Sequence, residues 1–552
     1  MSVHQAFRRQ PVPGQYAQSL KHMTFPAPTR GIVLDENEAF MRPGACIISD
    51  NWMPTLRGLK LRGGCIRHCD LHALDAVVPP VPDAARKPVI SSFTYQNASN
   101  LRMFAAQLDK LFEVTASVPV LVKDSQTSGN YAAAQMSNAA GNWLIVVNDS
   151  GADFPLKFDG AVWTTLSGAE ITGPPGGAKT LVFVWKYRNR LFFIESGSMN
   201  AWYLGIDSVS GAALKIPLSG AASKGGNLLC GFSWSLDAGD GISEKCCFMT
   251  DLGEILIFVG TDPANAANWR QEGRYAISPP LGMNGHMQVG GDMLILTVDG
   301  IVPLSQAIVK DAGLLELAMI TKAIKPLWRE EVLAKRAWAW TMSKWDEFGG
   351  LFVTTPGGVP GQRWCLAANN ASNAWCRFVG YDATCFIRLR GDMFFGTQDG
   401  IVMQADRTGY DDGNHRKIPY VATLVGGWDT LKSGAAQTVW HQARATFTSR
   451  ASEPFLPQLA ATVDYIITLP PPPPPGSDPD LADVWDEGLW DVAVWDAPSL
   501  GRPAMRTTMW MSIGMMGFAH APIVQVTVAQ VARPDVELVA IAATYEGAGV
   551  NV

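Results

Sequence analysis

Two twelve-residue stretches constrain this chain more than any other feature: Gly291-Asp292-Met293-Leu294-Ile295-Leu296-Thr297-Val298-Asp299-Gly300-Ile301-Val302 and Gly391-Asp392-Met393-Phe394-Phe395-Gly396-Thr397-Gln398-Asp399-Gly400-Ile401-Val402. They lie 100 residues apart and agree at eight of twelve positions. Each runs from Gly-Asp through an apolar segment, meets Asp-Gly and restarts with Ile-Val. Asp-Gly between apolar runs predicts a hairpin whose two central residues sit at positive φ. A hairpin that recurs at a distance predicts a modular β-architecture. Asp292, Asp299, Asp392 and Asp399 repeat because the turn repeats, so they are expected to shape it rather than to bind a ligand.

The region around the two stretches extends the pattern. Short apolar cores recur at Leu111–Val114, Trp143–Val147, Leu191–Ile194, Ile255–Phe258, Leu294–Leu296, Leu351–Val353 and Phe394–Phe395. Their mean spacing is about 47 residues, within the range of propeller repeats. An all-β fold follows, with residues 86–413 forming an irregular β-propeller of six or seven blades, one way for a long β chain to protect its sheet edges. The 53 glycines and 36 prolines suit many tight turns. One stretch breaks the pattern. Residues 311–336 place Leu314, Leu315, Leu317, Ile320, Ala323, Ile324, Leu327 and Trp328 at helical spacing, and Pro326 splits them. Two short helices packed on the propeller are expected there.

The flanks read differently. Residues 1–85 form an N-terminal arm with two short strands in 41–64 joined at Pro54–Gly58. Residues 414–552 predict a β-sandwich. Its strands are expected at Val421–Val425, Val439–Phe447, Ala461–Ile467, Thr507–Ile513, Ile523–Val528 and Val536–Tyr545. An excursion at about 469–500 interrupts it. Pro470–Pro475 force a stiff polyproline II arm. Trp485, Trp490 and Trp495, each followed by Asp, form an acidic aromatic loop that docks on this domain or on a neighbouring subunit.

Chemistry is sparse. The net charge of −6 argues against tight, sequence-independent DNA binding, which rests on many phosphate contacts from Lys and Arg. A surface past which DNA slides stays open. No apolar run approaches the roughly 20 residues of a membrane span, and Met1–Gln15 lacks the apolar core of a secretory leader. The nine cysteines are expected to be mostly buried free thiols. Gly173-Pro174-Pro175-Gly176-Gly177-Ala178-Lys179-Thr180 narrowly misses a phosphate-binding loop, but a strand-like run follows where a helix is needed. Cys65, His68, Cys69 and His72 are zinc-ligand types at a spacing that matches no standard finger. Asp237–Gly241, and Asp406 with Asp411-Asp412-Gly413, lack a full calcium ligand set. Neither a Gly-x-Ser-x-Gly nor a His-Glu-x-x-His is present. The expectation is no enzyme, no cofactor and no metal.

Residues 41–64, with Pro43-Gly44, Asn51-Trp52 and Leu61-Arg62-Gly63-Gly64, resemble the N-terminal signature of tail proteins from short-tailed bacteriophages. Tyr187–Phe193 with Ala201–Leu204, Gly253–Phe258 with Gly260–Pro263 and Trp269, and Ile301–Ser305 resemble successive parts of the same family's propeller. Trp510–Gly514, Ala519–Pro522 and Pro534–Leu538 resemble its closing strands. The family is that of the tail nozzle, or tail tubular protein B, with the related packaged-DNA stabilisation proteins. The resemblance implies that the strands of residues 1–85 and the sandwich of residues 414–552 together build one platform, and that the chain is a ring subunit, typically one of six copies. That ring lies below a head-to-tail adaptor, carries or abuts tail fibres or spikes, and retains and then conducts double-stranded genomic DNA. It implies a location in the virion tail, assembled in the host cytoplasm, without membrane insertion. Trp52, Arg57, Arg62, Trp485, Trp490 and Trp495 are the interface candidates. The competing expectations are a tail-associated propeller that binds or hydrolyses host surface polysaccharide, and a cellular propeller scaffold.

Overall fold

The computed structural model describes residues 20–74, 86–98, 100–235, 244–310, 312–357, 363–412, 416–431, 436–449, 455–476 and 504–547. Most of them form antiparallel β-meanders. Four consecutive four-stranded sheets span residues 91–123, 131–165, 181–217 and 228–276, and a three-stranded sheet spans 286–303. Strands Ala383–Leu389, Asp392–Thr397 and Ile401–Thr408 form a sixth sheet, whose fourth strand is Gly64–Asp70 from the start of the chain. These six sheets are the separate blades of a β-propeller. Ser91–Gln96 lies against Tyr131–Asn138 on one side and Ala383–Leu389 on the other, so first blade meets last. Gly64–Asp70 thus locks the ring, and the expected platform segment 1–85 gives up these residues to the propeller.

A further four-stranded meander, residues 342–379, sits between the fifth blade and the last. It does not stand alone. Its strand Trp375–Val379 pairs with Cys46–Asp50, which pairs with Tyr420–Gly426, then His520–Val528 and Gln458–Val463. One eight-stranded sheet therefore runs from the propeller into the platform. The facing sheet contains Lys21–Pro26, Trp52–Pro54, Leu59–Leu61, Val536–Gly547, Thr438–Ser449, Ala504–Thr507 and Met511–Gly517. Phe25, Leu59, Trp440, Phe447 and Ile541 of this sheet pack with Trp375, Leu424, Leu459 and Val524 of the other in one buried core. Both chain ends thus build the sandwich. Two strands depart from expectation: Thr507–Ile513 is broken at Thr508–Trp510, and Gln458–Val463 ends before Tyr465–Ile467, which stay exposed.

The repeated stretches are hairpins, Asp292–Thr297 with Gly300–Pro303 and Asp392–Thr397 with Ile401–Thr408. Met293–Thr297 and Met393–Thr397 are buried throughout, because each middle strand has neighbouring blades on both faces. That is why they read as continuous apolar runs rather than alternating ones. The turn itself is displaced by one residue from the expected centre. Only the glycines have positive φ, +155° at Gly300 and +72° at Gly400, while Asp299 and Asp399 do not. The threonine before each turn closes it: Thr297 Oγ1 donates to the Gly300 carbonyl at 2.7 Å, and Thr397 Oγ1 accepts from Ile401 N at 3.1 Å. Three of the aspartates bond outside their hairpin, and Asp392 bonds within it. Asp292 accepts from Ser305, Asp392 from Gln404, Asp299 from Ser278 and Asp399 from Arg363.

The helical insertion forms, with Pro326 in the first turn of the helix Lys325–Lys335, where its missing N–H costs nothing. Before it, Ala312–Ala318 is a 3-10 helix. Its tighter winding turns Leu314 and Leu317 outward, 57% and 64% exposed, against the expected apolar stripe. Leu315 packs on the propeller, whereas Ile324, Trp328 and Val332 enter the sandwich core. The insertion is therefore a wedge between the two bodies rather than a cover on one.

Candidate functional site

Arg62 sits at the junction of propeller and platform and is fully buried. Its Nη1 and Nη2 donate to the two carboxylate oxygens of Asp411, each at 2.8 Å. Nε donates to Asn51 Oδ1 at 2.7 Å, Nη1 to the Gly63 carbonyl at 2.9 Å and Nη2 to the Val379 carbonyl at 2.6 Å. Its guanidinium lies over the rings of Tyr420 and Tyr381, 3.9 and 4.5 Å from their centroids. Burial disfavours the guanidinium charge, but Asp411 holds it firmly protonated. Trp52 is equally buried, in the sandwich core against Phe447. Neither residue reaches the surface, so the reading of Trp52 and Arg62 as partner contacts gives way to one of internal fasteners. Arg57 is exposed at the tip of the Trp52–Pro54/Leu59–Leu61 hairpin. Trp485, Trp490 and Trp495 lie outside the described residues.

The other sequence candidates disperse. On strand Gly64–Asp70, Cys65 and Cys69 are buried thiols pushed to high pKa by burial. His68 faces away, bonding the Val114 carbonyl at 2.9 Å, and His72 Nε2 accepts from Lys87 N at 3.1 Å. Among the described residues no three His, Cys, Asp or Glu side chains gather to hold a metal. Asp411 and Asp412 are engaged by Arg62 and Arg67, and Asp406 by Arg533 and the Gly63 amide. Asp237–Gly241 and Gly413 lie outside the described residues. The Gly173–Thr180 segment is a turn and a 3-10 helix, Ala178–Thr180, leading into strand Leu181–Tyr187. All nine cysteines are buried and unpaired. Pro470–Pro475 form no strand; Pro473 is buried, while Pro471, Pro472, Pro474 and Pro475 are exposed.

What sequence reasoning missed is a polar channel among the innermost strands of the propeller. Two cavities, about 400 and about 480 Å³, share Phe93, Thr94 and Phe386 in their walls. The first is lined by hydroxyl and amide groups, including Ser91, Gln135, Asn284 and Thr341. Asn284 Nδ2 reaches the Tyr131 carbonyl and Asn130 Oδ1, both at 3.0 Å, linking the fifth blade to the second. The second cavity carries Asp346, Glu347, Arg388 and Arg390. Lys344 and Arg388 hold the Asp346 carboxyl below its ordinary range. These residues come from different sheets and share no motif, so nothing short of the closed ring brings them together.

His286 begins the fifth blade and stands 5.2 Å from the Phe232 ring and 6.1 Å from the Phe183 ring, centroid to centroid. Burial lowers its pKa to about 4. An exposed imidazole titrates at about 6.5, so the unfolded chain takes up the proton first. The contribution of His286 is intact above pH 6.5 and is lost as pH falls from there to 4. We expect a propeller stability loss of up to about 3 kcal/mol across that window, by linkage. His286→Gln should flatten the pH dependence of urea denaturation between pH 6.5 and 4; an unchanged slope would refute the assignment.

No family model matches the chain, and no curated protein matches it. Among solved structures, Sqt1 of Saccharomyces cerevisiae is similar at 12% identity, over 64% of this chain and 86% of that one, with a TM-score of 0.37. The β-propeller domain of Cps50 (Swd1) from Myceliophteria thermophila is similar at 8% identity, over 63% of this chain and 100% of that one, with a TM-score of 0.37. The computationally designed Ika8 protein is similar at 10% identity, over 58% of this chain and 96% of that one, with a TM-score of 0.33. These likenesses are of fold alone.

Proposed function

We propose that this chain is a structural subunit of a short-tailed bacteriophage tail. In that reading it forms a nozzle-like ring below the head-to-tail adaptor that retains genomic DNA and then conducts it. The observation that carries the reading is the chain order: a propeller inserted between two segments that together build the platform, as the resemblance at 41–64 and 510–538 requires. The locked junction fits the role, because a ring subunit under load needs its two bodies to move as one. A net charge of −6 suits a surface that DNA must pass rather than grip. The role requires no catalysis. Immuno-electron microscopy of virions with antibody to this chain tests it. Label on a ring at the tail is the expected result; label elsewhere, or none on intact and disrupted particles, refutes it.

The polar channel favours a second reading, a tail propeller that binds or cleaves host surface polysaccharide. Hydroxyl, amide and mixed-charge groups around a cavity are the groups that bond sugars. Release of oligosaccharides from host polysaccharide by the purified protein, abolished by Asp346→Asn with Glu347→Gln, would favour this reading over the first.

A further inference from the structure

The two repeated stretches supply an internal comparison. The residue just before each is Gly290 in the fifth blade and Arg390 in the last, and both have left-handed backbone, with φ of +60° and +52°. Each begins the two-residue turn of a hairpin, His286–Val289 with Asp292–Thr297 and Ala383–Leu389 with Asp392–Thr397. Glycine enters that conformation freely, whereas a residue with a Cβ is strained in it. Gly290 shows that the turn itself needs no side chain. Arg188, another arginine in this conformation, uses its side chain within the chain. It lies 5.7 Å from the Tyr187 ring centroid and donates to the Glu244 carbonyl at 3.4 Å. Arg390 is exposed and pairs with none of the described residues. Strain of this kind persists at ligand clamps, where the side chain serves something outside the chain.

Arg390 stands in the larger cavity of the polar channel, about 480 Å³, where three strand ends meet: Gln96, Asp346-Glu347 and Arg390-Gly391. Trp345 Nε1 donates to the Gly391 carbonyl at 2.7 Å and fixes the turn to the neighbouring sheet. A Cβ on Gly391 would lie 3.0 Å from Glu347 Oε1, so the Glu347 carboxylate sits against the same turn. Asp346 is neutralised by Lys344 at 2.6 Å and Arg388 at 3.4 Å. Glu347 has no such partner among the described residues, so it and Arg390 are the charges this wall leaves open. The adjoining cavity of about 400 Å³ has no charged residue among those that line it.

We propose that the channel binds an acidic oligosaccharide, Arg390 taking the carboxylate of a uronate unit and Glu347 accepting from its hydroxyls, with neutral units in the adjoining cavity. The proposal deepens the polysaccharide reading above, rests on it and names its ligand class. A guanidinium presents a planar fork that matches a carboxylate. An ionised carboxylate only accepts hydrogen bonds, so Glu347 suits sugar hydroxyls and opposes a polyanion such as nucleic acid. Ser91, Gln135, Asn284 and Thr341 offer the second cavity both donors and acceptors for uncharged hydroxyls. Phe386, in the wall of both cavities, supplies an apolar surface between the two sites. Both volumes fall within the roughly 300–1,000 Å³ of small-ligand sites.

The test is titration calorimetry of the full chain with tetrasaccharides of galacturonate, glucuronate and mannuronate, each beside its methyl ester, which keeps the hydroxyls and removes the charge. At least one uronate is expected to bind, and its ester about tenfold or more weaker, as for the loss of one charge-assisted hydrogen bond. Arg390→Gly should abolish the preference for acid over ester. Its thermal unfolding should be unchanged or raised, because glycine adopts the turn without strain. Glu347→Gln should weaken binding of the ester, which Arg390→Gly leaves unchanged. Equal binding of acid and ester, or a preference that survives Arg390→Gly, would overturn the inference and leave the polysaccharide reading standing. Binding of host surface polysaccharide with no uronate bound would do the same. No binding of any of these sugars, with no oligosaccharide released from host polysaccharide, would remove that reading and this inference with it.

Discussion

Arg62→Ala is expected to destabilise the protein by about 3–5 kcal/mol, the cost of removing one partner from a buried ion pair. The variant leaves the Asp411 carboxylate buried without its counter-charge, and strips donors from Asn51 Oδ1 and the carbonyls of Gly63 and Val379. It also opens the space between the Tyr381 and Tyr420 rings. Arg62→Lys should recover less than half of the loss, because an ammonium cannot reproduce the planar fork that serves four acceptor groups at once. The double variant Arg62→Met/Asp411→Leu should be more stable than Arg62→Ala, since no isolated charge remains. Urea denaturation of the four proteins measures this. If Arg62→Ala falls within about 0.5 kcal/mol of the parent, the range of an ordinary surface change, the junction does not depend on this residue. The defect should also be local: amide exchange should rise first at Arg62–Gly64, Val379–Tyr381 and Tyr420, where propeller and platform meet.

The same residue shows where the sequence stopped being readable. No acidic residue lies between Asp50 and Asp70 to pair with Arg62, and an arginine is ordinarily solvated. Its partner lies 349 positions away, and no local pattern announces the pairing. By contrast, the apolar cores from Leu111 to Phe395 were legible because each blade's middle strand is buried on both faces, and that leaves a run no turn or linker would carry. The hairpins were legible for the same reason, although their turns lie one residue earlier. A threonine hydroxyl can close a turn as well as a second positive-φ residue can, and the two alternatives share one Asp-Gly signature. The meander at 342–379 looks like any other blade in sequence. What joins it to the sandwich is the pairing of Asp50 with Arg377, by strand register and by an ion pair at 2.6 Å, again between residues distant in the chain. The channel was hidden for a related reason. Asp346 sits in a turn and Arg388 at a strand end, and each reads as a solvated charge until the ring sets them side by side.

Gly64→Ala is expected to open the propeller at its seam. Gly64–Asp70 is the fourth strand of the last blade, and its register runs from Ile401↔Asp70 to Thr408↔Gly64. A Cβ on Gly64 would lie 1.9 Å from the Tyr410 carbonyl oxygen and 2.4 Å from its carbon. Both atoms are backbone, so no rotamer change relieves the clash and one of the two chains must move. Forcing an added methyl into a packed interior costs typically about 1–3 kcal/mol and occasionally more; this site belongs at the upper end, because the obstruction is main chain. The penalty falls on a contact between segments more than 300 residues apart, whose closure entropy only the paired strand offsets. Exchange should therefore accelerate at Ile401–Thr408 and, across the seam, at Ser91–Gln96, while His520–Val528 in the sandwich keeps its protection. Gly168→Ala is the control: its Cβ would meet nothing within 4 Å, so it should leave both stability and exchange unchanged. Equal behaviour of the two variants would mean that the ring closes without Gly64–Asp70. The blade would then be held by Ala383–Leu389, Asp392–Thr397 and Ile401–Thr408 alone, and the N-terminal segment would serve the platform only.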